Sequence, residues 1–187
     1  MVRMRWAAVA MAAAALLTGC GESERQADAG TPFGRTAAQA DIDGATAAVG
    51  LPASGRPEAV ASATPSATPS TEKEREKERL KARATACSAH WMSTDPELRE
   101  SGDPRGKFDA ATAELVKRGW RVTTDRREEK VDAKGSTVSV TLKKSGWTLM
   151  GRHHDLGSVD MVSFQASEDA CMNGFSQKDW ELLVNQD

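Results

Sequence analysis

From Trp120 onward the apolar residues fall on alternate positions, and this period constrains the fold more than any other feature of the chain. Trp120, Val122 and Thr124 alternate with Arg121, Thr123 and Asp125. Val138, Val140 and Leu142 alternate with Thr137, Ser139, Thr141 and Lys143. Successive side chains on a strand point to opposite faces, so each run reads as a strand buried on one side. Trp147 and Leu149 begin a third such run, and Val162, Phe164 and Ala166 suggest a fourth. Residues 132–135 and 144–146 carry turn chemistry between runs. Links this short predict antiparallel pairing.

Helical periods flank the strands. Asp103 before Pro104 reads as an N-cap and a first-position proline, Phe108, Ala111, Leu115 and Val116 mark one face, and Lys117-Arg118-Gly119 forms a basic last turn and glycine stop. Ser176 and Asp179 can cap a short terminal helix whose Trp180, Leu183 and Val184 share a face. Upstream, Thr71 and Glu74 have the spacing of a capping box. The charges that follow alternate at period two, with opposite signs at i,i+3 and like signs at i,i+4, so residues 71–83 are expected to form a frayed, solvated helix start. Leu80, Ala84, Cys87 and Trp91 then fall on one helical stripe, which predicts that the helix continues and docks through Trp91. The expected fold over 71–187 is α+β: helices packed on one face of a three- or four-stranded antiparallel meander. At fold level this order is similar to cystatin-like or PepSY-like arrangements, a likeness that implies no activity.

The amino terminus has a different character. Arg3 and Arg5 precede an apolar run over 6–17, too short for a permanent bilayer span of about 20 residues, and the layout is that of a secretory signal. The signal ends in Leu17-Thr18-Gly19-Cys20, which resembles the lipobox of bacterial lipoproteins. The resemblance implies cleavage after residue 19, diacylglycerol on the Cys20 thiol, and a chain held by its acyl groups on the extracytoplasmic side of the cell membrane. Residues 21–70, rich in Ala, Gly, Ser, Thr and Pro, look like the tether of lipoproteins from high-GC Gram-positive bacteria such as actinomycetes. The expected boundaries are 1–19 signal, 20–70 lipidated N-terminus and disordered tether, and 71–187 domain. About 50 flexible residues would give an r.m.s. reach of about 40 Å.

Charge and cysteine count narrow the function. The signal holds two of the 25 basic residues and none of the 27 acidic ones, so the remainder is acidic by four charges. No basic excess is available to neutralise phosphates, which argues against a nucleic-acid partner. With Cys20 given to lipid, an exported chain retains Cys87 and Cys171, and the expectation is one disulfide. A closed loop of that length contributes about 4–5 kcal/mol in the chain-entropy model.

Candidate chemistry is sparse. His153, His154 and Asp155 form the one local cluster of ligand-type residues, and imidazole with carboxylate suits zinc or copper. Both histidines reach one ion only if the strand has already turned. No serine sits in a nucleophile elbow, and acids such as Glu128, Glu129 and Asp155 show no pairing that selects two of them for acid–base work. The expectation is therefore a non-enzymatic domain, with no cofactor beyond the acyl chains. Four tryptophans, Trp91, Trp120, Trp147 and Trp180, each fall in a predicted element. They read as core anchors, with Trp120 and Trp147 as candidate stacking platforms for wall glycan. Lys143-Lys144 and Arg126-Arg127 could receive anionic wall polymer, or simply blunt sheet edges. The function expected is an interaction domain in the cell envelope, for an envelope protein or peptidoglycan. The alternative is a metal- or small-ligand-binding lipoprotein that uses the histidine cluster.

Overall fold

The computed structural model describes residues 32–52, 71–94, 98, 102–131 and 135–184, all within one unit, Pro32–Asp187. The signal segment 1–19, Cys20, parts 20–31 and 53–70 of the expected tether, and residues 132–134 of the expected turn lie outside the described residues.

Helix α1 (Arg35–Ala48) is followed by α2 (Glu72–Ala86), strand β1 (Ser88–Ser93) and α3 (Pro104–Lys117). Strands β2 (Arg121–Lys130), β3 (Ser136–Lys144), β4 (Trp147–Asp155) and β5 (Asp160–Glu168) form the expected meander. Helices α4 (Asp169–Asn173) and α5 (Gln177–Val184) complete the described chain. All strand pairs are antiparallel, in the order β1-β5-β4-β3-β2. The α+β class holds, with helices packed against an antiparallel sheet; α1 and α3 lie on its core face, while Asp169 of α4 reaches Thr148 and Lys143 on the other. The strand count is corrected from three or four to five among the described residues.

Local chemistry explains most element ends. Asp103 Oδ1 accepts from Gly106 N at 2.7 Å and caps α3, whose first residue is Pro104. Thr71 and Glu74 form the reciprocal capping box of α2. Its opposite charges pair at i,i+3, as in Arg79–Glu76 and Lys81–Glu78. Ser145 and Gly146 both have positive φ (48° and 79°), as a two-residue hairpin turn between right-twisted strands requires.

Two expectations are overturned. The segment assigned to the tether contains α1, which buries Ala38, Ile42 and Ala45 in the main core. Phe33 precedes it and meets the edges of Trp120 and Trp147 at 5.8 and 6.3 Å. The folded unit therefore begins near Pro32, not Thr71. Further on, α2 stops at Ala86 and Trp91 lies on β1. Leu80 and Cys87 are buried outside the main core cluster, while Trp91 enters the core from the strand.

The core lies between α1 and α3 and one face of the sheet. It contains Phe108, Ala111 and Leu115 from α3, with Trp91, Val138, Leu142, Leu149, Val162, Phe164 and Ala166 from the strands. Phe108 stacks on Phe164 at 5.5 Å. Gly151 makes room here, because a β-carbon would stand 3.0 Å from the Phe164 ring and 3.1 Å from Val140 Cγ1, so both side chains would have to give way. Away from this core, the Cys87–Cys171 disulfide joins the end of α2 to α4 with its Cα atoms 6.0 Å apart, as expected. Arg83 lies over the Phe175 ring at 4.4 Å and donates to Gly174 O, so α2 also holds the turn before α5.

Candidate functional site: the uncovered face of the sheet

The residues alternating with the core set meet across the strands in four rows. The one at the α4 end, Ser88, Ser167, Thr148, Lys143 and Arg121, is tied to Asp169 of α4 through Thr148 and Lys143. The other three lie beyond it. His90, Gln165, Met150, Thr141 and Thr124 form the first row. Met92, Ser163, Arg152, Ser139 and Arg127 form the second. Met161, His154, Thr137 and Glu129 form the third. These side chains are half-buried or exposed. A shallow depression of about 490 Å³ lies over β2, β3 and β4, lined in part by Thr124, Arg127, Thr137, Ser139, Arg152 and His154.

Two bulges in β2, between Val122 and Thr124 and between Thr124 and Arg127, set which side chains reach this face. Val122 stands opposite core-facing Leu142, whereas Thr124 stands opposite outward-facing Thr141. After the second bulge, Arg127 and Glu129 join the open face. Arg126 pairs with Asp109 of α3 at 3.0 Å, and Glu128 takes both amino groups of Arg105 from the same helix. Those pairs tie the edge of the sheet to the helix layer.

The electrostatics of the open face are uneven. Lys143 is paired with Asp169 at 3.1 Å. Arg127 lies 3.6 Å from Glu129, with both side chains about two-thirds exposed. Arg152, exposed at the centre of its row, has no acidic partner among the described residues. His154 Nδ1 lies 2.8 Å from Thr137 Oγ1. Burial, then the positive Arg152 and the neighbouring His153, hold the His154 imidazole below its ordinary value of 6.5.

The sequence-predicted sites fare differently. His153 and His154 point to opposite faces of β4. His153 is buried 6.3 Å from Phe108 with Nε2 3.1 Å from Asp160 Oδ1, whereas His154 is on the open face. Asp155 accepts from Gly157 N in the following turn. The strand has not turned, so the three residues are not brought to one ion, and no group of three metal-type ligands occurs among the described residues. Trp120 and Trp147 are 1 % and 2 % exposed, so neither offers a ring face to a sugar. Trp120 Nε1 donates instead to Asp41 Oδ2 at 3.0 Å. Lys144 Nζ donates to the same oxygen at 2.7 Å and to Arg118 O at 2.6 Å, so it stitches α1 to the sheet and is not a free surface cation.

Sequence reasoning missed the open-face rows because it read the outward positions only as solvated alternates of the core set. Their register, visible once β3, β4 and β5 are paired, was the signal that could have shown Arg152 between two serines. It also missed how the β1 edge is closed. Gln39 accepts from His90 N and donates to His90 O, and Arg35 donates to Ser88 O. This pairing blunts the edge against strand addition.

Comparison with known protein families, curated proteins and solved structures finds no match to this chain. No helix among the described residues is long and apolar enough to cross a membrane.

Proposed function

We propose that the chain is a lipid-anchored protein of the extracytoplasmic face of the cell membrane, attached through Cys20. Its folded unit is a non-enzymatic interaction module whose contact surface is the uncovered face of the sheet. The anchor rests on the Leu17-Thr18-Gly19-Cys20 motif and the signal before it. The module reading rests on one observation: α1 and α3 pack on one side of the five strands, and the other side presents an ordered array of hydroxyl, guanidinium, imidazole and thioether groups. A protein partner is favoured over wall glycan, because no tryptophan lies in the open-face rows. Thioethers adapt to irregular protein surfaces, and Met92, Met150 and Met161 are distributed across the array.

Cys20→Ser tests the anchor. The substituted precursor should keep its signal segment and leave the membrane fraction when its processing is followed by mass and fractionation. Unchanged processing with full membrane retention would remove the proposed location.

A further inference from the structure

The row Arg127–Ser139–Arg152–Ser163 sets two guanidinium groups among hydroxyls on the open face, whereas several other cations of the fold are paired. Arg105, Arg126, Lys143 and Lys144 each have a carboxylate partner at hydrogen-bonding distance. Arg152 has none among the described residues, and the Arg127–Glu129 contact, at 3.6 Å, is longer than these four. Ser139 stands opposite both arginines, on β2 and β4, so the two backbones are two strand spacings apart, about 10 Å. Thr137 and His154 border the row on one side, and Thr141 and Met150 on the other. Two cations flanking a hydroxyl, on a surface walled by hydroxyls, form a receptor for a carboxylate. Guanidinium forks bind it bidentately, and the hydroxyls donate to its remaining lone pairs.

We infer that Arg127, Ser139, Arg152 and Ser163 form a carboxylate-binding site for an acidic peptide segment of a protein partner. This rests on the reading of the open face as an interaction surface and names the partner's chemistry. Charge complementarity selects an anion, and two further features select a peptide. Glu129 at the margin repels a dense polyphosphate, and the exposed Met150 beside Arg152 gives a neighbouring apolar side chain a soft contact. Binding also couples to His154. An anion beside Arg152 offsets the positive field that disfavours the imidazolium, so occupancy raises the His154 pKa and protonation of His154 tightens binding by the same factor.

The test uses the labelled full-length chain in neutral-detergent micelles, observed by NMR. The probe is a blocked peptide alternating glutamate and threonine, compared with its glutamine counterpart and with inorganic phosphate. The expected result is saturable change at Ser139, Arg152 and His154 with the glutamate peptide only, together with an upward move of the His154 titration. Arg152→Gln should weaken binding about tenfold or more, since a charge-assisted fork is lost. Arg152→Lys should fall between, and Lys117→Gln on the helix layer should change nothing. The inference is overturned if there is no saturable binding at millimolar peptide. Equal binding of the glutamine peptide or of phosphate overturns it too, as does unchanged affinity in Arg152→Gln with the fold intact. Loss of the anchor leaves these results untouched, so failure of the site and failure of the location remain distinguishable.

Discussion

The two faces of the sheet are built from the same strands yet obey different rules. On β4, Leu149, Gly151 and His153 point inward and are shaped by contact, down to a glycine that makes room for the Phe164 ring. Met150, Arg152 and His154 point outward into a shallow depression that no helix covers among the described residues. On the covered side Asp41 is tied to Trp120 and Lys144, and buried His153 is held through Nε2 by Asp160 while its Nδ1 has no hydrogen-bond partner among the described residues. Arg152 on the open face has no acidic partner among the described residues. Stability thus resides on one side, and the other is free to vary its chemistry without endangering the fold.

Adjacent substitutions on β5 are the sharpest way to break that division. Phe164→Ala should cost about 3–5 kcal/mol, because it empties a site packed by Phe108 and Trp91. Its neighbour Ser163→Ala should stay within about 0.5 kcal/mol. Chemical denaturation of both variants checks this, and comparable losses would erase the distinction. A smaller effect is expected at the seam between α1 and the sheet. Asp41→Ala leaves the Trp120 indole N–H and the Lys144 ammonium short of their shared acceptor and should cost about 1–3 kcal/mol. A cost near zero would mean that α1 rests on the sheet without being fastened to it.

The smallest effect concerns pH. The folded-state pKa of His154 lies below 6.5, so the unfolded chain binds the proton more readily. The contribution to stability is present above pH 6.5 and is lost as pH falls through the folded value. Arg152→Gln removes one cause of the depression, so it should raise the His154 pKa and flatten that loss. NMR titration of the imidazole reads the shift directly, and an unchanged or lowered value would contradict the assigned field.

Much of the covered face was legible in the sequence. Period two revealed β2 to β5, the Asp103-Pro104 and Gly119 signals bounded α3, and Cys87 and Cys171 paired as expected. The missed elements share a physical cause. In α1 the buried stripe is Ala38, Ile42 and Ala45, two of them alanines within an Ala/Gly/Ser/Thr-rich stretch. Small side chains let the helix lie close to its neighbours but carry little hydropathic signal. Strand β1 was hidden for the opposite reason, since Trp91 satisfies both a helical stripe from Leu80 and a strand alternation with Ala89 and Ser93. The histidine cluster misled because proximity in sequence is separation across a strand. The open-face rows need the register, which pairs residues far apart in the chain.

The central claim is that the sheet has one sealed face and one presented face. Oxidative footprinting with mass-spectrometric readout measures this on the native protein. Met150, 39 % exposed, should be modified readily, whereas Trp91, Trp120 and Trp147, each 2 % exposed or less, should stay protected until the protein unfolds. Oxidation of Trp120 or Trp147 at the rate of Met150 in the folded state would contradict the account.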